Sequence, residues 1–192
     1  MQRTDSMTTI YLIRHAEAEG NLYRRIHGWY DSLITENGCR QIKALEARFR
    51  DIPVDAVYSS DRFRTRTTAR AVYRPKNLPL RTCPGLRELN LGAWEDRSFG
   101  NARRGCPHEL DLFNRTDPAW EVEGGERFSQ LGDRVYAAVL RLAERHPGQT
   151  LALFSHGMAI RQFLGKVNHI PPEEWHAMPH GDNTAVSCLT FD

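Results

Sequence analysis

Short apolar runs alternate with helix-period stretches along most of this chain, and this alternation restricts the folds that it can adopt. The apolar runs lie at residues 9–13, 56–58, 80–82, 151–154 and 185–189. Strands that alternate with helices are typical of a largely parallel sheet covered by helices on both faces. The sequence therefore predicts a three-layer α/β/α fold with a mostly parallel central sheet.

Four helices are predicted from apolar periodicity and from residues that start or stop helices. They begin at Thr35, at Ser59-Ser60-Asp61, after Gly124-Gly125 and at Ser155-His156-Gly157. The stretch from about residue 92 to 123 breaks the alternation and is rich in Arg, Trp, Asp and Gly. We interpret it as a lid-like insertion within a single domain of residues 1–192, a length that suits one compact core.

Composition excludes several classes of protein. The net charge is +2 and charged residues make up 26% of the chain, which argues against nucleic acid or an anionic membrane as the main partner. No apolar run approaches the roughly 20 residues of a membrane-spanning helix. The four cysteines form no CxxC pair, so neither a zinc site nor a disulfide framework is indicated. We expect a cytoplasmic protein, and the sequence leaves a homodimer open.

Polar side chains follow four predicted strands at the point where each strand ends. They are Arg14-His15, Ser59-Ser60-Asp61 with Arg64, Arg87-Glu88 and Ser155-His156-Gly157. Ligands of open α/β sheets bind outside the carboxyl ends of the strands. Two helix starts at this edge add unpaired N–H groups, so we expect a crevice that favours an anion.

Only some of these residues are predicted to have a function beyond packing or solvation. His15 and His156 each follow a buried-looking strand directly, whereas we interpret the other histidines as surface or packing residues: His27, His108, His146, His169, His176 and His180. Glu88 is a plausible proton donor beside the other groups. Other arginines lie on the same predicted helix, so the helix pattern alone does not identify Arg64 as a functional residue. The lid-like insertion is expected to contact the rest of the substrate through Trp94, Arg97, Arg103, Arg104, His108 and Trp120.

The chain resembles the histidine phosphatase superfamily, also called the phosphoglycerate mutase-like superfamily. Six motifs occur in the family's order over nearly the whole length. They are RHAEAEGN at residues 14–21, SSDRFRTRTTA at 59–69, Arg87-Glu88 with Gly92 and Trp94-Glu95, Gly124-Gly125-Glu126, Ser155-His156-Gly157, and Asn183-Thr184. The loop and helix start with Gly28, Asp31, Leu33, Thr35, Gly38 and Gln41 also resemble the family pattern.

This resemblance implies a reaction and a role for each matching residue. His15 is the expected nucleophile and forms a phosphohistidine that water hydrolyses. Glu88 is expected to protonate the leaving group and then to take a proton from the attacking water. The phosphoryl oxygens are expected to be held by Arg14, Arg64, His156 and Asn21, with Gly157 and Asn183 as further substrate-binding residues. No metal and no cofactor is expected.

Four positions depart from the family pattern. Ala16 and Asp96 stand where the family usually has Gly, Thr65 where it has Ala, and Arg127 where it has Ser. By the family's layout, Asp96 and Arg127 are expected near the mouth of the site. These two departures are expected to affect substrate preference more than the reaction itself.

The favoured function is a metal-independent phosphatase acting on a small phosphomonoester. A cofactor-dependent phosphoglycerate mutase is the nearest alternative, but mutases of the superfamily carry Arg-His-Tyr-Gly after the glutamate, where this chain has Leu89-Asn90-Leu91-Gly92. The Gly-x-Trp-Glu run is also similar to phosphatases that act on α-ribazole phosphate. A non-catalytic phosphate-binding regulatory module is disfavoured because both His15 and Glu88 are present.

Overall fold

The computed structural model describes residues 7–192, so residues 1–6 of the expected domain lie outside the described residues. The strands are β1 (Thr8–Arg14), β2 (Ala56–Ser59), β3 (Leu80–Thr82), β4 (Thr150–Ser155) and β5 (Val186–Phe191). The α-helices are α1 (Glu19–Leu22), α2 (Glu36–Phe49), α3 (Phe63–Tyr73), α4 (Phe99–Gly105), α5 (Pro107–Asn114), α6 (Phe128–Arg145) and α7 (Gly157–Val167). None of the helices in this part of the chain is long and apolar enough to cross a membrane.

The five strands form one sheet in the order β3-β2-β4-β1-β5. The first four are parallel to their neighbours, and β5 pairs antiparallel with β1 at the edge. The central strand, β4, is buried along nearly its whole length because helices cover both of its faces. The predicted mostly parallel sheet is confirmed.

The two faces of the sheet bury different sets of side chains. On β4, Leu151 and Leu153 pack with α6 and α7, whereas Ala152 and Phe154 pack with α2 and α3. This separation follows from the period of two in a strand, which sends successive side chains to opposite faces. Helices therefore lie on both faces, as the three-layer architecture requires.

The lid-like stretch forms the short helices α4 and α5 and packs into the larger core. Trp94, Phe113, Trp120 and Phe128 form an aromatic cluster with ring centroids 5.1–5.9 Å apart. Trp120 is 0% and Trp94 is 6% exposed, so the expectation that these two side chains contact substrate is wrong. Large rings anchor an insertion that has no strand of its own, because each buries a large apolar area.

Strand register brings several of the predicted site residues together at the carboxyl ends of the strands. Arg14 at the end of β1 pairs with Ser155 at the end of β4, and Ser59 at the end of β2 pairs with Phe154. The backbone N–H groups of His15 and Ser60 then donate to the Ser155 and Phe154 carbonyls at 3.0 Å. Three strand ends thus converge on one side of the sheet.

We predict that the aromatic cluster is a main source of stability for the lid-like stretch. Trp120→Ala should lower the free energy of unfolding by about 3–5 kcal/mol, because it removes a fully buried ring and leaves a cavity. Chemical denaturation followed by circular dichroism measures this loss. Leu33→Ala is the control, since Leu33 is 58% exposed, and its loss should stay below about 1 kcal/mol. Similar losses for the two variants would contradict the packing role of Trp120.

Candidate active site

A cavity of about 460 Å³ opens at the carboxyl edge of the sheet. Four of the expected site residues line it: Arg14, Asn21, Glu88 and Gly157. The other four lie behind these lining residues: His15, Arg64, His156 and Asn183. His15, Arg64 and His156 are 2%, 0% and 0% exposed, respectively. The structure thus divides the expected set into residues that face the cavity and residues that support them.

The His15 imidazole is held as a neutral ring. Its Nδ1 lies 2.8 Å from the Ala16 carbonyl oxygen, and because a carbonyl only accepts, Nδ1 carries the proton. Burial lowers the pKa of His15 well below its usual value, and nearby Arg64, His27 and Arg14 lower it further. The lone pair is therefore on Nε2, the nitrogen available for nucleophilic attack.

Arg14 and Gly157 fit together at the cavity wall. Arg14 Nη1 donates to the Gly181 carbonyl at 2.5 Å, while its buried Nε finds no partner among the described residues. A Cβ at position 157 would lie 3.2 Å from the Arg14 guanidinium carbon. The glycine thus lets the guanidinium rest against the start of α7, where it supplies positive charge to the cavity.

The second histidine is fixed by an arginine and a serine. Arg64 Nη2 donates to His156 Nδ1 at 3.1 Å, which places the ring proton on Nε2, and Nε2 then donates to Ser60 Oγ at 2.7 Å. Burial and the Arg64 charge lower the pKa of His156 well below its usual value. The rings of His15 and His156 lie 5.3 Å apart. Both nitrogens of His156 therefore have protein partners in this structure.

The Arg64 guanidinium organises the loop that covers it. Its nitrogens donate to the carbonyls of His27 at 3.0 Å, Gly28 at 2.6 Å and Tyr30 at 2.8 Å. Asp31 Oδ1 accepts at 3.3 Å. Arg64 does not line the cavity itself. Its hydrogen bonds instead hold in place the loop and the histidine that surround it.

Glu88 lies in the cavity wall against the N-terminus of α7. Its Oε1 accepts from the N–H groups of Leu89 at 3.0 Å and Ala159 at 2.9 Å, and its Oε2 accepts from Met158 at 3.0 Å. Helix N-termini offer such unpaired N–H groups to anions. Since Oε2 has one N–H partner and Oε1 has two, Oε2 is the oxygen with room for a proton.

The other carboxylate of this segment, Glu95, has a structural position. Its two oxygens accept from four backbone N–H groups at 2.7–3.1 Å: those of Gly28, Trp29, Tyr30 and Leu91. It does not line the cavity. Glu95 therefore closes the loop over Arg64, and Glu88 is the carboxylate placed to exchange a proton with a ligand.

The two asparagines form a short hydrogen-bonded chain beside His15. Asn183 Nδ2 donates to the His15 carbonyl at 3.0 Å and lies 3.4 Å from Asn21 Oδ1. Asn21 Oδ1 also accepts from the Ala18 N–H at 3.1 Å. The oxygen of Asn21 is thus occupied, which leaves its amide NH₂ free for the cavity. Asn183 holds backbone and does not line the cavity.

His27 was interpreted as a surface or packing residue, and the structure corrects this. Its ring lines the cavity with its centroid 5.8 Å from that of His15. A Cβ at Gly20 would lie 2.3 Å from His27 Nδ1, so the ring needs a glycine beneath it. His180, also missed, lines the same cavity. Both lie in segments without helix or strand periodicity, which gave no signal of their position.

The four departures from the family pattern have separate outcomes. Ala16 has no positive φ, so its methyl group is tolerated. Asp96 has a φ of 61°, a conformation that suits glycine and that Asp also adopts. It accepts from Arg25 Nε at 2.6 Å, next to the cavity. Thr65 Oγ1 lies 2.8 Å from Ser60 Oγ and extends the hydrogen-bonded chain behind His156.

Arg127 does not lie at the mouth of the site, contrary to expectation. It forms an ion pair with Glu121 and lines a separate cavity between α6 and the C-terminal end of α7. Arg127 immediately precedes α6, and this backbone position places its side chain at the second cavity. As to metal binding, residues 7–192 contain no group of three His, Cys, Asp or Glu side chains that could hold an ion.

Comparison with known proteins identifies the family of the chain. Residues 10–192 match the model of the histidine phosphatase superfamily (branch 1). The chain belongs to this superfamily. The probable phosphoglycerate mutase GpmB of Yersinia pestis (strain Pestoides F) is 36% identical over 169 residues, which cover 86% of this chain and 77% of the relative. The resemblance noted from the motifs is confirmed, and the chain is an enzyme of this superfamily.

Solved structures share the fold. The match to Bacillus stearothermophilus YhfR has a TM-score of 0.93 at 30% identity and covers 96% of this chain and 92% of the YhfR chain. The match to the α-ribazole phosphatase from Shigella flexneri has a TM-score of 0.84 at 24% identity and covers 94% of this chain and 89% of the phosphatase chain. At this identity, the match to the α-ribazole phosphatase shows a shared fold and nothing more. The chain and these two solved structures thus share one overall architecture.

We predict that the buried neutral histidines make stability depend on pH. Burial, with Arg64 and Arg14, lowers the pKa of His27 to about 3 from its usual 6.5. Between these values the unfolded chain binds one more proton than the folded chain, so stability falls as the pH is lowered. His15 and His156 act in the same direction. Each such histidine contributes a slope of about 1.4 kcal/mol per pH unit.

Denaturant unfolding of the wild type and of His27→Gln between pH 8 and pH 5 measures this slope. The variant should have a shallower slope, by the contribution of one histidine, below about pH 6.5. The comparison at pH 8, where His27 is neutral in both states, gives the part of the effect that comes from packing. Parallel curves for the two proteins across the whole range would contradict the burial of a neutral ring at this position.

Proposed function

We propose that this enzyme is a phosphatase that hydrolyses a small phosphomonoester through a phosphohistidine on His15. The observation that carries the proposal is the state of His15: a neutral, almost fully buried ring with its lone pair on Nε2, beside an arginine-bearing cavity. A nucleophile that needs no deprotonation can attack an anionic phosphoryl group directly.

In the first step, Nε2 of His15 attacks phosphorus while the ester P–O bond breaks. The leaving alkoxide takes the proton from Glu88, whose Oε2 has room for it. Arg14 and the amide of Asn21, both in the cavity wall, hold the phosphoryl oxygens. Positioning and charge stabilisation are most of what a loose phosphoryl transition state requires.

In the second step, water attacks the phosphorus of the phosphohistidine and loses a proton to the Glu88 carboxylate. The N–P bond breaks, inorganic phosphate leaves, and His15 returns to its neutral form. Arg64 supports both steps by holding His156 and the covering loop. We propose that no metal ion takes part, because the arginines supply the positive charge that the phosphoryl group needs.

A phosphoglycerate mutase is the second candidate, because the relative GpmB carries the name of a probable phosphoglycerate mutase. A mutase must return the phosphoryl group from the histidine to a second hydroxyl before water reaches it. Hydrolysis is favoured because the segment after Glu88 is Leu89-Asn90-Leu91-Gly92 and lacks the mutase residues. Release of inorganic phosphate at the rate of substrate loss distinguishes the two reactions.

A panel of phosphomonoesters assayed with excess EDTA tests the proposal. The wild type should release phosphate, and radiolabelled substrate should leave an acid-labile, base-stable label on the protein. His15→Ala should lose both activity and label, because it removes the nitrogen that accepts the phosphoryl group in the proposed mechanism. His176→Ala, which changes an exposed histidine that does not line the cavity, is the control. Retained activity in His15→Ala, or loss of wild-type activity in EDTA that Mg²⁺ restores, would contradict the mechanism.

Glu88→Gln tests the proton donor. In single-turnover experiments, phosphorylation by an alkyl phosphate should slow by roughly 10²–10⁴-fold, the usual range for a general acid. Phosphorylation by p-nitrophenyl phosphate should slow much less, because its leaving group barely needs a proton. Glu95→Gln is the matched control: it removes an acceptor of four N–H groups, so it should affect the two esters alike and lower the melting temperature. Equal slowing of the two esters by Glu88→Gln would rule out this role.

A further inference from the structure

A cavity of about 220 Å³ lies between α7 and β5, and we call it the α7–β5 cavity. It shares Arg14 and Gly157 with the wall of the active-site cavity. Neither His15 nor Glu88 lines it, so a ligand confined to this space does not reach the reacting groups. The proposed function makes no use of the α7–β5 cavity.

One side of α7 and one side of β5 build this cavity. The α7 residues in its wall are spaced three and four apart, which places them on one side of the helix: Gly157, Ile160, Arg161 and Leu164. Ser187 of β5 lies opposite, on the face of the strand that also carries Leu189, because alternate residues of a strand point to the same face. Regular elements of the fold thus fix the positions of Arg161 and Ser187.

Arg161 is a buried cation without an ion-pair partner. It is 4% exposed, and none of the ion pairs among residues 7–192 includes it. Its Nη2 contacts Thr116 Oγ1 and Met158 Sδ, both at 3.2 Å, and its Nε has no partner in this part of the chain. Burial lowers the pKa of Arg161, and the charge of Glu88 raises it through space. The protein therefore compensates this charge only in part.

Arg134 shows how the same fold holds a compensated guanidinium. It forms an ion pair with Glu126 at 2.7 Å and donates to three backbone carbonyls at 3.0–3.1 Å. Arg161 is more deeply buried than Arg134 and has no such acceptors. A buried cation without acceptors is unfavourable. An anion bound beside Arg161 removes this cost.

The wall of the α7–β5 cavity suits a small anion with an apolar body. Arg14 and Arg161 are its charged residues, Ser187 adds a hydroxyl group, and no Asp or Glu among residues 7–192 lines it. The remaining side chains in the wall are apolar: Ile160, Leu164, Met178, Pro179 and Ala185. Its volume of about 220 Å³ equals the share of roughly seven water molecules in the liquid, which admits a molecule of a few carbon atoms.

We propose that the α7–β5 cavity binds a small organic carboxylate as an inhibitory effector. The carboxylate pairs with Arg161 and Arg14, since an arginine fork matches its two oxygens, and the short apolar chain lies along Ile160 and Leu164. The effector is a molecule separate from the substrate, so this inference goes beyond the proposed function. Because Arg14 also faces the active-site cavity, a carboxylate that offsets its charge weakens the binding of phosphate there.

Thermal unfolding in the absence of substrate tests the binding. Butyrate is the probe, at an ionic strength held constant with sodium chloride. With a Kd of about 1 mM, a 100-fold excess over Kd should raise the Tm of the wild type by roughly 5 °C or more. Butyramide has the same shape without the charge and should leave the Tm unchanged. Isothermal titration calorimetry gives the Kd directly.

Arginine variants locate the site. Arg161→Met should abolish the effect of butyrate, and without butyrate it should keep or raise the Tm, because it removes a buried charge that lacks a partner. Arg134→Met, which breaks the ion pair with Glu126, should lower the Tm. Arg70→Met is the control: Arg70 is exposed and does not line the cavity, so the Tm and the effect of butyrate should both stay as in the wild type.

A pair of variants on β5 tests the cavity without a change of charge. Ser187→Ala removes the hydroxyl group from the wall and should weaken butyrate binding several-fold. Thr190→Ala is the matched control, because Thr190 is exposed on the same strand and does not line the cavity. It should leave the Kd for butyrate unchanged.

Inorganic phosphate tests the inhibitory role. Saturating butyrate should raise the Kd of the wild type for phosphate about 5-fold or more, and saturating phosphate should raise the Kd for butyrate by the same factor. In Arg161→Met, butyrate should leave the Kd for phosphate unchanged. An unchanged Kd for phosphate in the wild type would overturn the inhibitory role.

Three outcomes would overturn the binding site itself. They are equal stabilisation by butyrate and butyramide, equal effects of butyrate on the wild type and on Arg161→Met, and a large loss of stability of Arg161→Met without butyrate. The first two show that no carboxylate binds at Arg161, and the third shows that Arg161 has a structural role. All of these measurements are made without substrate, so their failure is distinct from a failure of the proposed phosphatase activity.

Discussion

The burial of the Arg64 charge is the constraint on which the site depends. A guanidinium removed from water costs several kcal/mol unless acceptors surround it. Here the acceptors are Asp31 and the carbonyls of His27, Gly28 and Tyr30, so the chain between residues 27 and 31 has to wrap around the side chain. The same guanidinium donates to His156 and fixes its tautomer. The path of this loop and the tautomer of His156 therefore both depend on one buried charge.

Much of the site could be predicted because a parallel sheet converts chain order into proximity. Arg14, His15, Ser155 and His156 stand at strand ends, and register alone brings them together. The sequence pattern did not predict the conformation of the loop after β1. His27 reaches the cavity only because Gly20 leaves room for its ring, a contact between two positions without periodicity. The apolar face of α6 was predictable for the opposite reason, since a long helix repeats its signal.

The lid-like stretch shows where residue type misleads. Its tryptophans were expected to contact substrate, yet they pack against each other and against Phe113 and Phe128, because a short insertion must bury apolar area to stay folded. Its arginines divide by their partners: Arg115 pairs with Asp111 one turn earlier in the same helix, whereas Arg103 and Arg104 have no carboxylate partner among residues 7–192. Whether a tryptophan of such a stretch is buried depends on contacts between residues far apart in the sequence, and composition does not predict these contacts.

The same arginines also affect the protonation of the site. Burial and the charges of Arg14 and Arg64 lower the pKa values of His15 and His27, and burial and Arg64 lower that of His156, because another positive charge in the same space is unfavourable. Positive charge at the carboxyl end of the sheet also favours an anion in the cavity. The neutral state of the histidines and the preference of the cavity for an anion thus share one origin, the arginine charge beside the strand ends.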